Sequence, residues 1–198
     1  MLAFGKPQDS LTSRWLVDDQ RTSPASRPDR HGRLERHAVG GERNSLWRWT
    51  EFVSPARAAI QYLLVVFARI VPSLRARNWA LRRLGVTVGA GVSWGLEATP
   101  DVFWPERITL QADCIVGYDV TLLCHEFLQG ELRLGDVVVG ERAMIGAGAI
   151  VLPGVTIGAD AQVAANSLVN ADVAPGQTVA GVPAEPLRDP AEVESGGS

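Results

Sequence analysis

The sequence predicts a mainly β protein whose chain coils into a solenoid of short strands, and three observations support this. From Val139 to Val169 every sixth residue is a branched aliphatic, and a small or β-branched residue follows four positions after each. Turn-forming residues such as Gly148, Gly154 and Asp160 precede the small ones. One strand and one turn in six residues build a three-sided prism with about three repeats per coil. The two columns are Val139, Ile145, Val151, Ile157, Val163, Val169 and Ala143, Ala149, Val155, Ala161, Ser167, Val173.

The N-terminal part of the chain differs from the repeat in charge and composition. Through Leu84 there are 15 Lys+Arg and 7 Asp+Glu, whereas from Gly85 onward there are 4 and 15. Residues 1–50 are rich in Ser, Arg, Pro and Asp with little apolar periodicity, which predicts a disordered basic tail. The tail carries no recognition motif, so we expect no nucleic-acid partner.

Residues 51–84 are expected to form a helical extension. Ser54 and Pro55 make a helix-start signal, Gly85 is a plausible C-cap, and Pro72 predicts a break. The apolar run within the helix is far shorter than the roughly 20 residues that a transmembrane span requires. Two interpretations remain open: a basic helix lying on a membrane surface, or a helix pair packed on the prism or a neighbouring subunit, which is the commoner arrangement.

The repeat domain is assigned to residues 85–188, and an acidic flexible tail to residues 189–198. Cys114 falls in the column of small inward residues, where a thiol packs as a small hydrophobe. Neither Cys114 nor Cys124 belongs to a CxxC motif, so we expect reduced thiols and a cytoplasmic protein.

His125 is the one histidine of the repeat domain, and it stands where the rhythm of six is interrupted. The rhythm runs through Leu122 and restarts at Val139, which leaves an excursion from Glu126 to Gly135. Solenoids place binding loops in such excursions. An imidazole titrates near neutral pH and can accept a proton from an attacking hydroxyl, so His125 is a candidate general base. The alternative is an ordinary surface histidine.

The repeat run "VVVGERAMIGAGAIVLPGVTIGADAQVAANSLV", followed by "DVAPGQTVAGVPAEPLR", resembles the hexapeptide-repeat acyltransferases, which include the galactoside, maltose and xenobiotic acetyltransferases. The resemblance covers Val86 to about Arg188. It implies a left-handed parallel β-helix, a homotrimer, and acetyl-coenzyme A as co-substrate for acetylation of a small hydroxylated acceptor. In that family a histidine at the edge of a coil is the general base, and His125 matches its position.

Further site residues follow from the resemblance. The backbone N–H of Ala147 is expected to hold the developing oxyanion, and Ala165, Asn166 and Asn170 to line the coenzyme A groove. Glu126 is a second catalytic candidate, although adjacent residues of a strand point to opposite sides. Where relatives carry basic residues, this chain has Ala171 and Glu185.

Arg188 is therefore the remaining candidate ligand for the nucleotide phosphates, with Arg142 or an arginine of the helices as substitutes. Trp94, Phe103 and Trp104 form an aromatic cluster before the regular repeats. We interpret this cluster as the cap that closes the open end of the prism rather than as a sugar platform.

Two other functions use the same fold. A zinc carbonic anhydrase needs three histidine ligands, which one histidine in the repeat domain cannot supply, so no metal site is expected. A trimeric scaffold or membrane-surface module without activity is the alternative to the enzyme. His125 and its loop favour the enzyme, because a scaffold requires neither.

Overall fold

The computed structural model describes residues 30–187. Two α-helices, α1 (Pro55–Ile70) and α2 (Leu74–Arg83), precede the repeated strands, and 3₁₀ helices occupy Arg30–Arg33, Ser45–Glu51 and Pro105–Arg107. The strands in chain order are β1 (Glu35–Ala38), β2 (Thr87–Val88), β3 (Ser93–Trp94), β4 (Ile108–Leu110), β5 (Ile115–Val116), β6 (Thr121–Leu122), β7 (His125–Phe127), β8 (Glu131–Leu134), β9 (Val137–Val139), β10 (Met144–Ile145), β11 (Ile150–Val151), β12 (Thr156–Ile157), β13 (Gln162–Val163), β14 (Leu168–Val169), β15 (Thr178–Ala180) and β16 (Glu185–Pro186).

The repeated strands form three parallel sheets that the chain visits in turn. Sheet 1 contains β2, β4, β9 and β12; sheet 2 contains β3, β5, β10, β13 and β15, with β16 added antiparallel; sheet 3 contains β6, β11 and β14. In the regular part Val138 pairs with Thr156 and Ile150 with Leu168, each partner 18 positions along the chain. Three repeats of six residues therefore make one coil. We name the turns between sheets the 1–2, 2–3 and 3–1 edges.

The interior is filled by the two columns that the periodicity identified. All twelve side chains are buried, and none is more than 3% exposed. Cys114 and Cys124 are free thiols within the same core. Burial raises the pKa of the Cys114 thiol to about 11 and raises that of Cys124 as well, so both stay protonated at neutral pH. The inward assignment of both columns is confirmed.

Glycines at the turns allow successive coils to approach closely. A Cβ atom on Gly140 would lie 2.5 Å from the amide N of Ala159 and 2.8 Å from the carbonyl O of Ile157. We expect Gly140→Ala to lower the free energy of unfolding by about 1–3 kcal/mol, because backbone of the next coil must shift. Gly130→Ala is the matched control, since its Cβ would meet nothing within 4 Å. Urea unfolding of both variants tests this, and equal stabilities would contradict it.

The regular coil is interrupted twice, both times at the 3–1 edge. Thr99 pairs with Thr121, 22 positions further along, because the 3₁₀ helix Pro105–Arg107 is inserted before β4. In the next coil the hairpin β7–β8 is inserted between β6 and β9. The two insertions therefore lie one above the other at one edge.

Helices α1 and α2 cover the end of the prism at the first coil. Val65 and Leu81 are buried in the common core, and Arg77 donates to the carbonyl O of Trp94 at 2.6 Å. Trp94 is itself completely buried, as expected for a residue that closes this end. In the described part of the chain no single helix is long and apolar enough to cross a bilayer; Ser45–Glu51 and α1, bent by 104°, reach that length and composition only together.

The structure corrects the expected boundary of the tail at residue 50. From Arg30 the chain forms a 3₁₀ helix, β1, and the 3₁₀ helix Ser45–Glu51; β1 pairs antiparallel with β8. The side chains of β1 are all exposed, so no apolar pattern could signal a strand. Its order comes from backbone pairing with the hairpin and from anchors such as Arg30 to the carbonyl O of Pro153 at 3.0 Å. The remaining tail residues, 1–29 and 189–198, lie outside the described residues.

Candidate active site

His125 is the first residue of β7 and is held by a buried carboxylate at the 3–1 edge. Its Nδ1 lies 2.6 Å from Oδ2 of Asp101, a side chain that is fully buried. Asp101 belongs to the first insertion and His125 to the second, so the stacking of the two insertions brings them together. Because the carboxylate accepts, Nδ1 carries the hydrogen, and Nε2 is the nitrogen available to a substrate.

Asp101 is fixed from both sides. Oδ1 accepts from the backbone N–H groups of Phe103 at 2.8 Å and Trp104 at 2.9 Å, and Oδ2 also accepts from the N–H of Cys124 at 2.7 Å. Burial by itself raises the pKa of Asp101, but the hydrogen bond and charge of His125, with the Trp104 and Cys124 N–H groups, outweigh it and hold the pKa below its ordinary value of 3.8. The carboxylate is therefore ionised at neutral pH.

Three aromatic rings surround the imidazole. The ring centroids of Phe103, Trp104 and Phe127 lie 5.2, 5.3 and 5.2 Å from that of His125, whose side chain is 17% exposed. Phe103 and Trp104 thus do not close the end of the prism as expected; the 3₁₀ insertion carries them to the 3–1 edge instead. An imidazole between apolar rings interacts with its carboxylate in a water-poor environment, which strengthens the electrostatic interaction.

The Glu126 side chain contacts two arginines and not the Asp101–His125 pair. Its carboxylate accepts from Arg30 at 2.9 Å and lies 4.0 Å from Arg133. Arg30 also donates to the carbonyl O of Pro153, so it joins the hairpin to a later coil. These contacts give Glu126 a structural part in holding the N-terminal segment against the hairpin. Its catalytic role stays a prediction.

The residues expected to bind coenzyme A are divided between two edges. Ala147, Ala165 and Asn166 lie on the 2–3 edge, where the N–H of Asn166 donates to the carbonyl O of Ala147 at 2.8 Å. Asn170 follows β14 and lies on the 3–1 edge, the same edge as His125. Arg188 lies outside the described residues. Within one copy of the chain, Ala147 and His125 are separated by the width of sheet 3.

Arg142, the suggested substitute for Arg188, lies on neither of these two edges. It lies on the 1–2 edge, where it makes two hydrogen bonds of 2.8 Å to the carboxylate of Asp160 and also pairs with Glu141. The Arg142 guanidinium is already paired with two acids and lies on a different edge from Ala147. It therefore does not fit the role of a ligand for the phosphates of a coenzyme A bound along the 2–3 edge. Among residues 30–187 no group of three or more His, Cys, Asp or Glu is arranged to hold a metal ion.

Sequence reasoning missed Asp101. The spacing of the coils carried a signal. Thr99 pairs with Thr121, and Asp101 comes two residues after Thr99 whereas His125 comes four residues after Thr121, so both follow the same position of successive coils. That alignment requires the insertion before β4 to be recognised. The irregular spacing between Thr99 and Ile108 concealed it.

Comparison with known families and sequences gives a consistent result. The family described as "Bacterial transferase hexapeptide (six repeats)" matches residues 136–171. The Bacillus subtilis (strain 168) protein named "Putative acetyltransferase YvoF" is 39% identical over 152 residues, which are 76% of this chain and 88% of that protein. "Putative acetyltransferase SAS0727" of Staphylococcus aureus (strain MSSA476) is 33% identical over 131 residues, covering 66% and 81%.

Solved structures share the fold at low sequence identity. A hexapeptide-repeat-containing acetyltransferase, VCA0836 from Vibrio cholerae, matches with a TM-score of 0.58 and 21% identity over 68% of this chain and 90% of that one. A maltose O-acetyltransferase from Clostridium difficile 630 matches with a TM-score of 0.53 and 20% identity, covering 68% and 86%. The fold is therefore that of hexapeptide-repeat acetyltransferases.

Proposed function

The chain belongs to the bacterial hexapeptide-repeat acetyltransferase family, and from that premise we propose that it transfers an acetyl group from acetyl-coenzyme A to a hydroxyl of a sugar-like acceptor. The observation that carries the proposal is the contact of 2.6 Å between His125 Nδ1 and buried Asp101. A surface histidine has no need of a fully hydrogen-bonded buried carboxylate. The left-handed winding of the coil and a cytoplasmic location remain predictions.

His125 acts as the general base in this proposal. Asp101 keeps the hydrogen on Nδ1 and leaves the Nε2 lone pair to accept the proton of the acceptor hydroxyl as its oxygen attacks the acyl carbonyl. The same carboxylate stabilises the positive charge that the imidazole then carries. The proton afterwards passes from Nε2 to the departing thiolate sulfur, which restores the neutral base.

A homotrimer supplies the other half of the site. Cyclic symmetry sets one edge of a copy beside a different edge of its neighbour. This would bring the 2–3 edge of one copy, with Ala147, to the 3–1 edge of the next, with His125. The N–H of Ala147 would then donate to the negative charge that develops on the acyl carbonyl oxygen. The separation of these residues within a single copy supports an assembly of this kind.

Coenzyme A supplies the activated acyl thioester, and the 2–3 edge has the properties needed to hold it. Ala147 and Ala165 are small enough for close approach of an extended pantetheine chain, and Asn166 adds an exposed amide beside them. Arg188 follows directly on Leu187, whose N–H donates to the carbonyl O of Thr178 in β15. Arg188, the next residue along the chain, is our proposed phosphate ligand, and Asn170 contributes from the 3–1 edge of the neighbouring copy.

A cavity that is lined by Phe103, one of the rings around His125, is our proposed acceptor site. It has a volume of about 490 Å³ and is lined by Asn44, Leu46, Trp47, Trp49 and Phe103. His125 does not line the cavity, but the Phe103 ring that lines it lies 5.2 Å from the His125 ring, centroid to centroid. A sugar in the cavity must therefore extend its hydroxyl past Phe103 to reach Nε2. Aromatic faces pack on the apolar C–H faces of sugar rings, while the amide of Asn44 offers polar contacts to hydroxyls. A carbohydrate is the acceptor that this lining favours.

The direct test is thiol release from acetyl-coenzyme A with a panel of sugars, nucleotide sugars and amines. Release that depends on one sugar and gives an O-acetylated product by mass spectrometry supports the proposal. An N-acetylated product would replace the hydroxyl acceptor by an amine. Failure to bind coenzyme A in calorimetry, together with no release, would favour the trimeric scaffold.

Replacing Trp47 tests the acceptor cavity. Its side chain is 66% exposed, and the guanidinium of Arg43 lies 4.7 Å above its ring. We expect Trp47→Ala to raise the KM for the sugar acceptor about threefold to tenfold with little change in kcat, because stacking is lost and the base is untouched. Trp79→Ala, an exposed tryptophan on α2, is the control. Equal KM values for the two variants would exclude Trp47 from the acceptor site.

A further inference from the structure

We propose that the outer face of α1 and α2 docks on an anionic lipid surface. Of the exposed large apolar side chains, an unusual share lies on these two helices, and Leu63 is 68% exposed. Singly scattered apolar residues are normal on a protein surface, whereas a continuous apolar face marks an interaction site. We call this set the cap face: Ile60, Tyr62, Leu63, Phe67, Ile70, Leu74 and Trp79.

The apolar residues of the cap face lie outside the buried core, although Phe67 of α1 contacts Trp79 of α2 edge-on. The inward side of α1 is already occupied by Ala58, Gln61, Val65 and Ala68, all buried against the protein. The opposite side of an amphipathic surface helix is normally polar, yet here it carries Ile60 and Leu63. Since α1 is held to the protein along its inner side, it would lie in the plane of a membrane interface.

The charge around the cap face complements anionic headgroups. Between Phe52 and Leu96 the sequence contains six arginines and no Asp or Glu. Arg75, Arg82 and Arg83 are exposed, and none of them pairs with a carboxylate within the part of the chain that the structure describes. From Gly85 onward the chain has 4 basic and 15 acidic residues. An anionic surface therefore attracts the cap and repels the body, which fixes the orientation of docking.

A basic cavity borders the same face. It has a volume of about 580 Å³ and lies between the helices and the first coil; Ile60 and Leu64 line its apolar part. Its charged lining consists of three arginines, Arg57, Arg82 and Arg83, and one acid, Glu106, which accepts a hydrogen bond from Arg57. Guanidinium groups beside apolar side chains match the chemistry of a lipid, whose phosphate would contact the arginines and whose acyl chains would contact the apolar residues. A second copy of this chain would bring the same arginines against one another, so the lipid surface is the better occupant.

Trimer formation would strengthen the contact. The helices cover one end of the prism, and a cyclic trimer with parallel prism axes presents its three cap faces on the same side. Three weak contacts then act together on one bilayer. The inference does not depend on the acyl transfer proposed above, and its test uses binding alone.

The experiment is co-sedimentation of the full chain with vesicles of phosphatidylcholine and phosphatidylglycerol at 7:3, beside vesicles of phosphatidylcholine alone. We expect binding to the anionic vesicles that weakens with added salt. Leu63→Glu should lower the partition coefficient at least tenfold, since an apolar anchor becomes an acid. Arg75→Gln and Arg83→Gln should each lower it about fivefold.

Val182→Glu is the matched control, because Val182 is 72% exposed in the last coil at the opposite end of the prism. Its binding should equal that of the unmodified chain, and far-ultraviolet circular dichroism shows that each variant is folded. Absence of binding to anionic vesicles, or full binding by Leu63→Glu, would overturn the proposal. Light scattering that gives the unmodified chain twice the mass of Leu63→Glu would overturn it too, because two copies would then cover the face.

Discussion

His125→Ala is expected to lower kcat/KM for the acceptor about 10³-fold, which is the range that a positioned general base contributes. The side chain lost is the one whose Nε2 takes the hydroxyl proton, while the backbone and the cavity lined by Trp49 and Phe103 stay in place. The KM for acetyl-coenzyme A should change little, because the base contacts the acceptor, whereas the proposed coenzyme A groove lies along the 2–3 edge. Steady-state thiol release at saturating acetyl-coenzyme A measures the effect.

Truncation of His125 also removes a partner of buried Asp101, so loss of folding must be separated from loss of the base. His125→Asn keeps an N–H donor directed at the carboxylate but has no basic nitrogen, and should be equally inactive while more stable than the alanine variant. His37→Ala, a half-exposed histidine of β1, is the matched control and should retain full activity. Activity within tenfold of the unmodified chain in a folded His125→Asn variant would remove His125 from the mechanism.

The repeat could be predicted because each of its residues makes the same contact in every coil. Burial of one large and one small residue in each repeat imposes a period of six. The offset of 18 between Val138 and its partner Thr156 follows because each coil crosses three sheets. Local chemistry therefore repeats along the sequence wherever the geometry repeats. The edge on which Ala147 and Asn166 lie is accessible to the same reasoning, since both occupy the turn between one aliphatic and the next.

The parts that could not be predicted depend on contacts between irregular segments. Asp101 meets His125 only because two insertions of different length leave the prism at the same edge. β1 has no apolar side, and its order depends on an edge strand, β8, that the hairpin provides. Arg30 resembles any arginine of a polar segment until Glu126 and the Pro153 carbonyl are seen beside it. Pairings of this kind leave no periodic signal in the sequence.

Asp101→Asn is expected to lower kcat about 10²- to 10⁴-fold although the residue does not touch the substrate. An amide NH₂ facing Nδ1 would move the hydrogen of His125 to Nε2, which then cannot accept a proton. The ring-nitrogen NMR shifts of His125 should show the hydrogen on Nδ1 in the unmodified chain and on Nε2 in the variant. A merely structural role of Asp101 would lower activity without moving this hydrogen. An unchanged tautomer would therefore exclude a positioning role.

The same substitution should weaken the fold in a pH-dependent manner. The pKa of Asp101 is below 3.8 in the folded chain, so its contribution to stability is fully present well above pH 3.8 and is lost as the pH falls through the folded value. At pH 7 the Asn variant also sets an NH₂ donor against the N–H of Cys124, at a cost of about 1–3 kcal/mol. Urea unfolding should show a stability gap between the unmodified chain and the variant at pH 5. Below about pH 4 the gap should narrow. A gap that widens below about pH 4 would mean that the folded chain holds Asp101 protonated, which would deprive His125 of the negative charge that the proposed mechanism requires.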